Sequence, residues 1–219
     1  MNRVVAIILA LSYMFYTLGI EWAAAIIGWR YMRKSWAPAY KWLVALAWVT
    51  CAVEMVTTVC MFCHINYDPL YNVFALVETG ALLYIQFLLA TRRTVARLLM
   101  ALLGLLVVGT ATCFIVWPTV DSLHLRYIVF NMFVQLVGVC VALIDILQAS
   151  TEKLLSRQPA FWLNIGLLFY CSIFIIIHIV GIWSVREAGD NFIWFSLVGN
   201  TFMYFGYIAC FRTLRKEEM

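Results

Sequence analysis

The chain has 219 residues, 65% hydrophobic and 12% charged, with a net charge of +4 and a mean hydropathy of +0.94. A soluble domain carries about 25% charged residues, and surface-to-volume scaling leaves a chain of this size unable to hide so much apolar surface from water. A water-soluble fold is therefore excluded, and the modest positive charge gives no reason to invoke nucleic acid.

Seven apolar stretches follow one another, each close to the ~20 residues that cross about 30 Å of hydrocarbon. They are 4–29, 41–63, 70–91, 98–117, 126–148, 160–183 and 192–211. The pattern predicts an all-α membrane protein, a single seven-helix transmembrane bundle over residues 1–219. The first stretch is too long for the core of a signal peptide and has no convincing cleavage site, so it reads as the first span. Pro38, Pro69, Pro118 and Pro159 all fall at boundaries and break no span. No internal repeat of the inverted-transporter kind is visible. The short tail, RTLRKEEM, offers no output domain, so any signal is expected to pass through another polypeptide.

Basic residues set the expected orientation. Arg30, Arg33, Lys34, Lys41, Arg92, Arg93, Arg97, Lys153, Arg157, Arg212, Arg215 and Lys216 share one side, whereas only Arg3, Arg126 and Arg186 lie on the other. The predicted topology places the N-terminus outside and the C-terminus in the cytoplasm, in the inner (plasma) membrane. Trp29, Trp36, Trp42 and Trp162 then mark the inner interface, and Trp117, Trp183 and Trp194 the outer one.

Ionisable groups inside spans are expensive and mark functional candidates. In chain order they are Glu21, Glu54, Glu78, Asp145 and His178, with no Lys or Arg at the same depth. Glu21 falls near the inner interface, beside Thr17, Ala24 and Gly28 on one face. Glu54 and Glu78 lie roughly 14 and 12 Å from the outer ends of sequential, antiparallel spans. Two carboxyls at one level in low dielectric resist double ionisation. They would share a proton or bind a cation or amine, or they would be neutral groups hydrogen-bonding between helices. The fifth span carries a polar and small stripe, Asn131, Gln135, Gly138, Ala142 and Asp145, expected to face the bundle. Asp145, near the inner end, is within reach of water or loop arginines. The sixth span spaces Asn164, Cys171 and His178 by seven, and the seventh presents Asn200, Tyr204 and Tyr207. Glu54, Glu78, Asn131, Gln135, His178 and Asn200 are therefore expected to line an outer-half cavity that takes a small ligand, a lipid or a proton. The competing reading is that such polar and small residues are packing glue between helices.

Other chemistries are weaker. No span holds a Lys for a retinal Schiff base. Cys60-Met61-Phe62-Cys63-His64 matches the C-x-x-C-H pattern of haem attachment, yet half of it lies inside a span, where Cys is a common small hydrophobe. His64, His124 and His178 would hold a zinc with Glu54 or Glu78 as base, but no H-E-x-x-H or paired His supports it. Haem c and zinc are thus alternatives to a reading that needs no cofactor. Serine-nucleophile, phosphate-loop and dinucleotide signatures are absent.

Three segments carry a likeness: YNVFALVETGALLYIQFLL at 71–89, PAFWLNIGLLFYCSIFII at 159–176 and FSLVGNTFMYFGYIACF at 195–211. Their arrangement resembles small seven-helix membrane proteins of Bacteroidetes-type bacteria, at Asn72, Glu78, Pro159, Phe161, Trp162 and Asn200. The Cys-x-x-Cys-His element is not part of that pattern. The resemblance implies a sensory role beside a two-component histidine kinase and carries no activity with it. Together these features point to a sensory or receptor-like subunit, with the lipid bilayer, a kinase or other membrane protein, and a small ligand as its partners. A small-solute or proton-coupled transporter is the alternative, followed by a membrane c-type cytochrome or a zinc-dependent membrane hydrolase.

Overall fold

A backbone in hydrocarbon must satisfy its own N–H and C=O groups, and an isolated segment does so only as a helix. In the computed structural model, which describes residues 3–116, 125–149, 154–183 and 189–217, the apolar stretches are all helical. Seven α-helices occur among the described residues: α1 (Arg3–Tyr31), α2 (Pro38–Phe62), α3 (Asp68–Leu89), α4 (Arg93–Val116), α5 (Leu125–Ala149), α6 (Pro159–Trp183) and α7 (Gly189–Glu217). Five of them, α2 to α6, are long and apolar enough to cross a membrane. Trp117, Pro118, His124, Lys153 and Arg186 lie outside the described residues, as do the side chains of Arg3, Trp183 and Trp194.

The helix ends follow local chemistry. Pro38 and Pro159 open α2 and α6, and Pro69 is the second residue of α3. There a missing N–H costs nothing and the fixed φ suits the first turn. The main departure from the predicted boundaries is α7, which runs six residues past residue 211. The Arg215 guanidinium in this extension sits 4.6 Å over the Tyr31 ring at the end of α1. Trp36, expected in an interfacial belt, is instead buried and stacks on Phe211 at 6.1 Å.

Helix packing defines a ring. α1 packs on α2, α2 on α3, α3 on α5, α5 on α6, α6 on α7, and α7 back on α1. α4 lies outside this ring against α3 and α5, with Leu98, Leu105, Val107, Val108 and Ile115 exposed along it. The tightest approach is between α6 and α7, where Gly166 and Gly206 let the backbones meet. Small residues serve this purpose in membranes, where dispersion contacts hold helices together.

Polar side chains also tie helices together. Gln86 Nε2 donates to Asn164 Oδ1 at 2.9 Å, joining α3 to α6. Asp145, 2% exposed, accepts from the Thr91 backbone N–H at 2.7 Å and from the Thr91 hydroxyl, and its Oδ1 lies 3.8 Å from Arg92 Nε. Arg92 also donates to Gln148. Asp145 therefore fastens the α3–α4 turn to α5. Removing it leaves the Thr91 N–H without its acceptor, so Asp145→Ala is expected to cost about 2–3 kcal/mol. A thiol-reactive dye reporting exposure of buried Cys51, Cys171 and Cys210 during heating would measure the loss. An unchanged midpoint would show that the tie contributes nothing.

Candidate functional site

The ring surrounds a partly open cavity of about 500 Å³ near the ends where α2 stops and α3 begins. All six ring helices line it and α4 contributes nothing. α1 supplies Thr17 and Glu21, α2 Thr50, Glu54 and Thr57, and α3 Asp68, Tyr71, Phe74 and Glu78. α5 supplies Ile128 and Met132, α6 Tyr170, Phe174 and His178, and α7 Ser196, Asn200, Met203 and Tyr204.

Helical spacing explains why so many polar groups converge. Asp68, Tyr71, Ala75 and Glu78 follow steps of three, four and three, so they form one stripe down α3. On α2, Thr50, Glu54, Thr57 and Met61 do the same. The two stripes face each other: the Tyr71 hydroxyl donates to Glu54 Oε2 at 2.8 Å, and Thr57 Oγ1 lies 3.5 Å from that hydroxyl. Glu78 is 7% exposed and close enough to Glu54 for their charges to interact. Glu21 is 3% exposed, interacts with both carboxyls and approaches the Tyr204 hydroxyl of α7. Its Oε2 has no hydrogen-bond partner among the described residues, nor does Oγ of Ser196. His178 Nδ1 pairs with the Phe174 carbonyl at 2.8 Å, and the ring stacks on Phe174. With Nδ1 donating to that carbonyl, a neutral imidazole presents Nε2 as an acceptor.

Of the six expected lining residues, Glu54, Glu78, His178 and Asn200 come together here. Asn131 and Gln135 do not line the cavity, although both are fully buried. The polar stripe of α5 faces α3 and α4 instead. A Cβ on Gly138 would meet Leu83, Gln86 and Leu99, and Asp145 meets Thr91. α5 turns its apolar side, Ile128 and Met132, to the cavity. Spacing shows that residues share a face but not which neighbour that face meets.

Glu21 is the main addition. The sequence reading puts it near the inner interface. Yet it lies ten residues from the end of α1, roughly 15 Å along the axis, which is as deep as the other two glutamates. Counted from the predicted end of the first span at residue 29, it already lies eight residues in, roughly 12 Å. Ser196 and Tyr71 carried no signal beyond residue type.

The Cys-x-x-Cys-His element lies outside the cavity lining, which takes only Met61 from it. Cys60 is half-buried, and Cys63 and His64 are exposed. The segment forms the end of α2: His64 adopts a left-handed φ of 57°, and the Ile65 N–H returns to the Cys60 carbonyl at 2.8 Å. This is the hydrogen-bonded stop that helices commonly use. His64 and His178 are not brought to one site, and His124 lies outside the described residues. Among the described residues no three His, Cys, Asp or Glu side chains are placed to hold a metal ion. Comparison with known protein families, with curated proteins and with solved structures finds no match to this chain.

Proposed function

We propose that this chain is a sensory or receptor-like subunit that takes a small ligand into the outer half of its bundle and signals through a partner protein. The observation that carries the reading is the cavity bounded by all six ring helices. A ligand there touches helices on opposite sides of the ring, so its differential affinity for two packings would shift the whole bundle. Glu54 and Glu78 carry the charge, and His178 and Asn200 add hydrogen-bonding groups. In this reading the chain spans the inner membrane seven times, N-terminus out and C-terminus in, because the basic residues gather on one side. The inner loops then face the partner, and the resemblance to proteins found beside histidine kinases suggests what that partner is.

Affinity purification of the full chain from its own membranes in mild detergent tests the relay. The expected result is a co-purifying kinase or other membrane protein that is lost from Arg93→Glu/Arg97→Glu, two exposed residues at the start of α4. A solitary chain that moves solute into liposomes unaided would overturn the reading in favour of a transporter.

A further inference from the structure

We propose that the ligand of this cavity is an organic cation, an amine or quaternary ammonium compound. The inference rests on the cavity being a ligand site and names the chemistry of what enters it. Four acidic residues line the cavity, Glu21, Glu54, Asp68 and Glu78, and among the described residues no Lys or Arg does. Charges interact strongly where the dielectric is low. A cation among these carboxyls offsets their mutual repulsion, an anion adds to it, and a neutral solute leaves it unchanged.

An independent observation points the same way. Ser196 is 2% exposed, lines the cavity, and its Oγ makes no hydrogen bond among the described residues. Oε2 of Glu21 is in the same position. Buried polar atoms without partners are uncommon in native structures. An ionised Glu21 accepts through Oε2 and the Ser196 hydroxyl both donates and accepts, so the N–H groups of an amine, or a hydroxyl on its substituent, would complete them.

The rest of the wall suits an organic ion better than a bare one. Tyr71, Phe74, Tyr170, Phe174 and Tyr204 line it with aromatic rings, a residue type whose π faces attract ammonium groups. No three side chains of ligating type are placed to hold a metal ion among the described residues. The volume of about 500 Å³ falls within the ~300–1,000 Å³ typical of small-molecule sites. An ammonium head would sit among the acids while an apolar body packs on Met132 and Met203.

Thiol probes of different charge test this without knowing the natural ligand. Ser196→Cys and, separately, Thr58→Cys put a thiol on the cavity wall. Native Cys63, exposed and outside the lining, is the internal reference. Methylthiosulfonates of similar size bearing trimethylammonium, sulfonate or no charge are added to the purified full chain. Modification of each cysteine is followed by peptide mass. The ratio of cationic to anionic rates is expected to be roughly tenfold or more higher at the introduced thiol than at Cys63. It should fall towards the Cys63 value when Glu54→Gln/Glu78→Gln is added. Equal ratios, with the neutral reagent reacting at the introduced thiols, would overturn the preference for cations while leaving the cavity as a ligand site. Failure of both introduced thiols to react even with the neutral reagent would overturn the ligand site itself, and this inference with it.

Discussion

Gly166→Val is expected to be the most damaging single substitution in the bundle. A Cβ at Gly166 would lie 2.8 Å from the Phe202 carbonyl oxygen and 2.9 Å from the Gly206 Cα. Both are backbone atoms, so no side-chain rotation relieves the clash and α6 and α7 must separate. Overpacking a core usually costs about 1–3 kcal/mol. Here the loss should reach the top of that range or exceed it, because contacts along the whole α6–α7 seam are what hold the pair. α7 also supplies Ser196, Asn200, Met203 and Tyr204 to the cavity, so splaying it damages the site as well. Heating the detergent-solubilised protein with a thiol-reactive dye reads this directly, since Cys171 on α6 and Cys210 on α7 are fully buried. Gly19→Ala, where nothing lies within 4 Å of the new Cβ, is the matched control and should not lower the midpoint. Equal midpoints for the two variants would show that the glycine contact is not what joins these helices.

The second large effect is a contrast between two lysines. Leu83 is 0% exposed and packs with Leu99, Leu106 and Val134 between α3 and neighbouring helices. Leu83→Lys buries an ammonium group among apolar side chains, and the chain should fail to accumulate or should unfold readily; a Lys at mid-membrane costs about 2.5–3.5 kcal/mol even by the lower scales. Ala75 is on the same helix but lines the cavity between Tyr71 and Glu78. Ala75→Lys delivers a tethered ammonium to Glu54 and Glu78, so it should fold with a midpoint close to that of Ala75→Met. It should also occupy the site and suppress the preference for cationic thiol reagents at Thr58→Cys. If both lysine variants are equally destabilised, the cavity does not stabilise positive charge.

Much of the fold is legible in the sequence because the bilayer constrains it so tightly. A helix is the only way each apolar run can satisfy its backbone, and the prolines at 38, 69 and 159 mark starts that the structure reproduces. The extension of α7 beyond residue 211 escapes a hydropathy reading because its last residues are charged, and its docking through Arg215 on Tyr31 is a tertiary contact. The candidate site was legible where antiparallel succession fixes the neighbours. Glu54 and Glu78 sit on consecutive helices at equal depth, so their meeting follows from counting residues. Rotation about a helix axis was not legible. Asn131 and Gln135 share a face with Asp145, but that face meets α3 and α4, since α4 sits outside the ring and draws the polar side of α5 towards it. Asp145 shows the same physics from the other side. Its proximity to loop arginines was readable, and its role is a tie at the α3–α4 turn.

The central claim is that the cavity holds a small molecule through Glu54 and Glu78. Native mass spectrometry of the full chain, gently extracted from its own host, tests it most directly, with wild type and Glu54→Gln/Glu78→Gln compared side by side. The account predicts a non-covalent small-molecule adduct on the wild type that is missing from the double variant, while both proteins melt at similar temperatures. The same adduct on both proteins would contradict the account, as would a wild-type chain carrying only covalent haem or zinc.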